Sequence, residues 1–217
     1  MVELKNISKS YDQYRLVLND LNATFFPGSI SLLYGRSGSG KTTLLNCLSG
    51  VDLPQTGNII INDTNINQLN ENDRANFRLS HIGIIYQFFN LLPSLSVAEN
   101  ILLPAMILKH DQRDHMHQLA KQFDIEHLLS EWPTNLSGGE CQRVAICRAL
   151  ICQPKLILAD EPTGNLDVTN RNIVMDFLKK LTKTNEISII IATHDQELHS
   201  YADTSWSLVN GQLSQVT

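Results

Sequence analysis

Between Gly35 and Thr42 the chain reads GRSGSGKT, and the spacing G-x-x-x-x-G-K-[ST] is the one that wraps backbone around a triphosphate. Gly35, Gly38 and Gly40 are free to take positive backbone angles and put no Cβ in the way, so the amides of this run, Arg36, Ser37 and Ser39 among them, can turn inward on a β-phosphate. Lys41 then reaches the β- and γ-oxygens, and Thr42 offers its hydroxyl to Mg²⁺. Lys41–Ser49 reads as a helix whose positive end, with Thr43 in its first turn, faces the phosphates. The apolar run Ile30–Tyr34 just before it is the strand that such a loop needs.

Further along, the apolar run LILA closes in two carboxylates, Asp160 and Glu161. A buried parallel strand explains the run and leaves the acids unexplained. Asp160 at the strand's end can hold the Mg²⁺ shell, while Glu161 is placed to orient or deprotonate a water opposite the γ-phosphate. His194 follows the apolar run Ile187–Ala192, at the carboxyl end where α/β sheets bind ligands, and becomes a candidate γ-phosphate sensor. In Leu136–Glu140, LSGGE, the pair Ser137 and Glu140 is a capping box. The Ser137 hydroxyl and the bare amides of Gly138 and Gly139 also make a second anion site. One molecule has no second phosphate to put there, so this corner is expected to serve a neighbour's nucleotide. Tyr11 stays open between a strand-edge tyrosine and an aromatic that stacks on adenine.

The elements that must position these groups follow from periodicity and punctuation. Val2–Ile7 and Asn22–Phe26 alternate like half-buried strands, and Pro27 and Gly28 turn the chain into the next one. Gly50 is expected to close the first helix, and Asn58–Ile61 and His81–Tyr86 are apolar strands separated by a polar, Asn-rich stretch. Gln87 follows directly, and FFNLLP after it is either a buried corner or a docking surface. Ser96 and Glu99 cap a helix running toward Leu108 despite Pro104, Asp111–Phe123 is helical, and Cys141–Ile151 is the apolar-faced helix behind LSGGE. Ile173, Val174, Phe177, Leu178 and Leu181 mark one apolar helix face, and SWSLVNGQLSQV is a hairpin turning at Asn210 and Gly211.

Composition sets the outer limits. The 217 residues suit one well-cored domain, and a formal charge of −5 argues against a nucleic-acid groove. No apolar run approaches the length of a bilayer span, so a membrane role is expected to pass through a partner. The N-terminus MVELKNISKS has no apolar core, so secretion is not expected. Cys47, Cys141, Cys147 and Cys152 form no C-x-x-C pair and read as reduced thiols, mostly buried. His115 and His117 read as solvated side chains.

Taken in order, GRSGSGKT, Gln87 after a strand, LSGGE, LILADEP, the run Gly164-Asn165-Leu166-Asp167 and the run Thr193-His194-Asp195 resemble the nucleotide-binding subunits of ABC transporters over nearly the whole chain. YQFFNLLPSLSVAENILLP and LADEPTGNLD are similar to the lipoprotein-releasing and macrolide-exporting branch of that family. The resemblance implies a head-to-tail dimer around two ATP molecules, each P-loop facing the other copy's Ser137, Gly138 and Gly139. It implies that Tyr11 stacks on adenine, that Gln87 touches Mg²⁺ or water, and that Asp167 acts across the dimer interface. It also implies that Phe88–Leu103 meets a cytoplasmic helix of an integral membrane permease, the chain lying peripherally on the cytoplasmic face. Tyr34, Arg36, Cys141 and Cys147 depart modestly from the family pattern.

The expected fold is an α/β P-loop core with a mostly parallel sheet, an N-terminal antiparallel part and an inserted helical subdomain. It forms one domain, with core residues 1–86 and 152–217 and helical residues 87–151. The expected function is an ATP-hydrolysing motor that exports or extracts a substrate. The alternative is a nucleotide-gated regulator of a membrane partner, as in the cell-division branch. A soluble ATPase of DNA repair or translation would need a long coiled coil or a tandem second cassette, and this chain has neither.

Overall fold

The structure, a computed structural model, describes residues 1–11 and 16–216. Its strands and helices, in chain order, are β1 (Val2–Ser10), β2 (Leu16–Phe25), β3 (Ile30–Tyr34), α1 (Lys41–Leu48), β4 (Thr56–Ile61), β5 (Thr64–Asn65), α2 (Glu71–His81) and β6 (Ile82–Ile85). There follow α3 (Val97–Ile107), α4 (Arg113–Gln122), α5 (Gly138–Leu150), β7 (Leu156–Asp160), α6 (Val168–Asn185), β8 (Ser188–Thr193), β9 (Thr204–Val209) and β10 (Gln212–Val216).

Two sheets result. β2-β1-β4-β5 is antiparallel throughout, and β10-β9-β3-β8-β7-β6 is parallel except for the β9–β10 hairpin. In the larger sheet β3, β6, β7 and β8 are buried on both faces, which is why they read as nearly continuous apolar runs, whereas β10 is largely exposed. Alternate residues serve opposite sides: Ile30, Leu32, Ile157, Ile189 and Ile191 pack with α3, α4, α5 and α6, while Leu33, Leu156, Leu158 and Ile190 pack with α1 and the antiparallel sheet. The registers Tyr34 with Thr193 and Asp160 with Ala192 bring the carboxyl ends of β3, β7 and β8 to one edge. Between β6 and β7 the chain forms three α-helices and two short 3-10 turns, and α5 packs against α3, α4 and β6.

Three expectations are corrected. The Asn-rich stretch contains α2, so His81 closes a helix and the strand starts at Ile82. Helix α5 starts at Gly138, which puts both glycines of LSGGE inside its first turn. On α6 the apolar face holds Val174, Met175, Leu178 and Leu181, whereas Ile173 is 51% exposed.

Candidate functional site

Strand β3 stops in mid-sheet, and residues 35–40 carry the chain into α1. Gly38 and Gly40 have φ of 75° and 105°, as their places in the loop require. Gly35 does not adopt a positive angle; it is needed for close approach, since a Cβ there would strike Ser39 Oγ and come 2.6 Å from Leu208 O. Helix α1 has Gly40 at its N-cap, no side-chain cap and no acidic residue in its first turn. By contrast, α2, α3, α5 and α6 are capped by Asn70, Ser96, Ser137 and Asp167. The uncapped amides of α1 lack the acceptor that an anion would supply. Ser39 Oγ, buried in the same loop, has no hydrogen-bond partner either.

Lys41 is folded under this loop, its Nζ donating to Gly35 O at 2.6 Å and to Arg36 O at 3.4 Å. Thr42 Oγ1 donates to Asp160 Oδ2 at 2.8 Å, joining α1 to the end of β7. Burial, and then the neighbouring Glu161 charge, hold the Asp160 carboxyl above the usual carboxylate range, against the pull of Thr42 and Lys41. A cation beside it would relieve that. Hydroxyl and carboxylate oxygens are the donors a hard divalent ion prefers, so the pair fits Mg²⁺. Among the described residues no three His, Cys, Asp or Glu side chains converge to hold a metal, so such an ion would draw its other oxygens from phosphate and water.

Glu161, next along, has φ of 46°, a strained angle for a residue with a side chain. Its backbone N–H donates to Ala192 O at 2.9 Å. Its Oε2 accepts from Thr193 Oγ1 at 3.1 Å, and its Oε1 lies 2.7 Å from His194 Nδ1. The carboxylate is thus fixed between the ends of β7 and β8, mostly buried, with the exposed His194 ring against it. A carboxylate held this way can orient a water or accept its proton.

These groups line one open cleft of about 1570 Å³, with Tyr11, Leu16, Val17, Thr43, Gln87, Leu208, Val209, Asn210 and Gly211. Its size exceeds the roughly 300–1,000 Å³ of a closed small-molecule pocket, so a ligand lying in it keeps one side uncovered. Tyr11 is 62% exposed, with the Lys9 ammonium 5.2 Å from its ring centroid. Gln87 is tied to the loop after β7, since Asn165 Nδ2 donates to its carbonyl at 2.9 Å. The expected residues Arg36, Ser37, Gly38, Ser39, Gly40, Lys41, Thr42, Asp160, Glu161 and His194 are therefore together. Leu16, Val17 and the Val209–Gly211 turn were not anticipated. The Asn210-Gly211 hairpin turn was visible in the sequence; that it borders the cleft follows only from the pairing of β9 with β3.

Ser137, Gly138, Gly139 and Asp167 do not line this cleft. The capping box is formed: Ser137 Oγ donates to Glu140 Oε2 at 2.6 Å, and the Ser137 N–H donates to the same oxygen at 2.7 Å. These bonds, the hydroxyl's first, hold the Glu140 carboxyl below its ordinary range. A Cβ on Gly139 would lie 3.1 Å from Asn170 Oδ1, and Asn170 is gripped by Asp167, which accepts from its N–H and its Nδ2 at 2.8 Å each. The corner and Asp167 form one surface through Asn170. Phe88 is 72% exposed, and Leu92, Met106 and Ile107 are exposed as well, so FFNLLP is surface and not a buried corner. Of the cysteines, Cys47 and Cys147 are buried and Cys141 and Cys152 are half-buried, and all four are free. Burial pushes the Cys47 thiol up to about 12 and raises Cys141, so neither offers a ready thiolate.

The chain matches the ABC transporter family over residues 18–164. It belongs to that family. The cassette is 41% identical over 213 residues to the lipoprotein-releasing system ATP-binding protein LolD of Colwellia psychrerythraea, covering 95% of this chain and 83% of that protein. It is 40% identical over 200 residues to the ABC transporter ATP-binding protein YtrE of Bacillus subtilis, covering 91% of this chain and 87% of the relative. Among solved structures, the dimeric bacterial ABC transporter cassette MJ0796 superimposes with a TM-score of 0.90 at 32% identity, covering 100% of this chain and 99% of that one. The same cassette in a post-hydrolysis state bound to ADP and Pi gives 0.91. The protein is an ATP-binding, ATP-hydrolysing subunit of the ABC transporter family, with the α/β P-loop fold expected of it.

Proposed function

We propose that two copies of this cassette clamp two Mg·ATP molecules head to tail, and that closing and reopening of the clamp drives a membrane permease which extracts or exports a substrate. One observation carries the reading: the open cleft holds the P-loop, Asp160, Glu161 and His194, while the anion-binding corner Ser137–Gly139 lies outside it. A two-fold axis that brings each corner to the other copy's cleft gives both halves a use. The dimeric MJ0796 cassettes support this.

In this reading the α1 amides and Lys41 bind the β- and γ-phosphates, and Tyr11 stacks on the adenine. Thr42, Asp160 and Gln87 would hold Mg²⁺, which would neutralise charge on the phosphate oxygens. Glu161 takes a proton from the attacking water, His194 contacts the γ-phosphate, and Asp167 reaches across the interface. Residues 1–86 with 152–217 act as the core, and residues 87–151 as the helical part that moves. The stretch from Phe88 to Leu103, whose exposed large apolar side chains are Phe88 and Leu92, receives a helix of the permease. The similarity to lipoprotein-releasing relatives supports the extracting branch, and cbiO1, part of the transporter complex cbiONQ, supports a permease partner. Among the described residues no helix is long and apolar enough to cross a membrane; the place of the chain is peripheral on the cytoplasmic face, a reading supported by its similarity to transporter ATP-binding subunits.

The test is Glu161→Gln. Removing the carboxylate lowers turnover by about 10²–10⁴-fold, the range of a lost general base, and the Mg·ATP-saturated variant runs as a dimer in size-exclusion chromatography. Wild-type turnover refutes the role of Glu161, and a variant that stays monomeric even with its permease present refutes the clamp.

A further inference from the structure

Just past Gln87 the backbone makes a corner that its own side chains disfavour. Phe89 and Asn90 both have positive φ, 61° and 49°. Asn tolerates that region, and a bulky residue such as Phe rarely enters it. Local bonds close the corner, Phe89 N–H donating to Tyr86 O at 3.2 Å and Asn90 N–H to Phe88 O at 2.5 Å. The external grip comes from Arg148 on α5: Nη1 donates to Asn90 O and Nη2 to Phe89 O, each at 2.6 Å. A planar guanidinium closes on two successive carbonyls, a fork that no other side chain presents. Among the described residues Arg148 pairs with no carboxylate. Its half-buried charge is answered by these carbonyls.

The corner lies between pinned points. On one side the Gln87 carbonyl is held by Asn165. On the other, the fully buried Asn100 of α3 accepts from Leu92 N–H at 2.8 Å and donates to Leu92 O at 3.0 Å. Helix α5 carries Ser137 at its N-cap and Arg148 about three turns later. One rigid rod therefore ends in the anion-binding corner and, further down, grips the loop that presents Gln87.

We propose that Arg148 is a positioning residue for ATP hydrolysis: by holding the Phe89–Asn90 corner, it makes the position of Gln87 in the cleft depend on the position of the helix that carries Ser137. The proposal rests on the assignment of Gln87 to the metal and water given above. Without the fork, Phe89 relaxes toward negative φ and the Gln87 loop loses its fixed exit. Strain held by a partner on a second element is what lets a small displacement of that element switch the loop.

The experiment compares wild type, Q87A, R148M, R148K and the double variant R148M/F89G of the full chain. It measures kcat, affinity for a fluorescent ATP analogue, and melting temperature. Arg148→Met is expected to lower kcat about tenfold with affinity within about twofold, the signature of a group that acts after binding. Arg148→Lys keeps the charge but not the fork, and falls about threefold. Adding Phe89→Gly to R148M returns most of the loss, because glycine takes the positive angle unaided. Unchanged kcat in both Arg148 variants, while Q87A is impaired, overturns this inference and leaves the reading of Gln87 standing. Wild-type turnover in Q87A overturns both. Equal losses of affinity and kcat in R148K, with no recovery on adding Phe89→Gly, reduce Arg148 to packing and also overturn it. Should R148M fail to fold, the R148K result decides alone, a threefold loss at unchanged affinity supporting the inference and unchanged kcat overturning it.

Discussion

The two corners proposed to meet phosphate are built in opposite ways. At α1 the N-cap is a bare Gly40, the buried Ser39 hydroxyl has no partner, and Lys41 rests on the carbonyls of its own loop. At α5 the N-cap Ser137 is closed into a capping box with Glu140, and Gly139 is backed by Asn170. The first corner has unmet donors without an anion, while the second is locally satisfied, with Ser137 and Gly138 exposed. A site that must bind alone needs unmet donors; a site that acts on a ligand already held elsewhere needs a stable shape. In the proposed clamp the second corner meets the phosphate held by the partner copy.

Breaking the first corner has the larger effect. Lys41→Ala removes the one ammonium folded into the loop, and charge-assisted bonds to phosphate contribute about 1.5–3 kcal/mol each. ATP affinity of the isolated cassette should fall about 100-fold or more and turnover with it, as titration with a fluorescent ATP analogue will read. Retention of both would contradict the phosphate assignment. Gly138→Asp separates the corners. A Cβ at Gly138 meets only Phe89 Cζ, at 4.0 Å, and an acidic first-turn residue suits a helix N-terminus, so the monomer keeps its melting temperature and its ATP affinity. A carboxylate aimed at the partner's triphosphate should lower turnover about 100-fold and stop a Glu161→Gln variant from dimerising. Loss of ATP affinity in the monomer would place the two corners in one site and dissolve the contrast.

How much of this was legible follows the same division. The β3 to α1 passage was readable because an apolar run, a glycine spacing and a lysine are all local signals, and the bounds Ile30–Tyr34 agree residue for residue. Helix α2 was not, because it buries none of its residues. It stands on an Asn70 cap and on Arg74 and Arg78, which reach the carbonyls of Leu69, Ser49 and Gly50, so no apolar period announces it. The acidic first turn and basic last turn around Asn70 and His81 were the available clue. Ile173 immediately precedes the buried Val174 and Met175, so it lies on the outer flank of the α6 face and not within it. Gly35 was right as a position that must lack a Cβ and wrong as to its backbone angle, and the group that a Cβ would meet, Leu208 O, comes from a strand distant in sequence. The capping box of Ser137 was visible in five letters, whereas its backing by Asn170 depends on how α5 and α6 approach each other.

The smallest expected effect tests the tension inside the first corner. Asp160 is half-buried, and its folded-state pKa is raised, chiefly by burial and then by Glu161. A carboxyl whose folded pKa lies above its unfolded value binds its proton more tightly when folded. The associated stability is fully present below the unfolded pKa and is lost as pH rises through the folded one. At neutral pH the ionised Asp160 therefore burdens the nucleotide-free fold. Asp160→Asn keeps an acceptor for Thr42 without the charge, so the melting temperature of the nucleotide-free variant should exceed wild type by a few degrees, about 2–4 °C per kcal/mol at this chain length. The gap should close as pH falls below the ordinary carboxylate range. Adding Mg·ATP should reverse the order, because only the carboxylate is repaid by a cation. A gap that ignores pH, or a variant that melts lower at neutral pH without nucleotide, would mean that Asp160 is held for packing rather than kept ready for a metal.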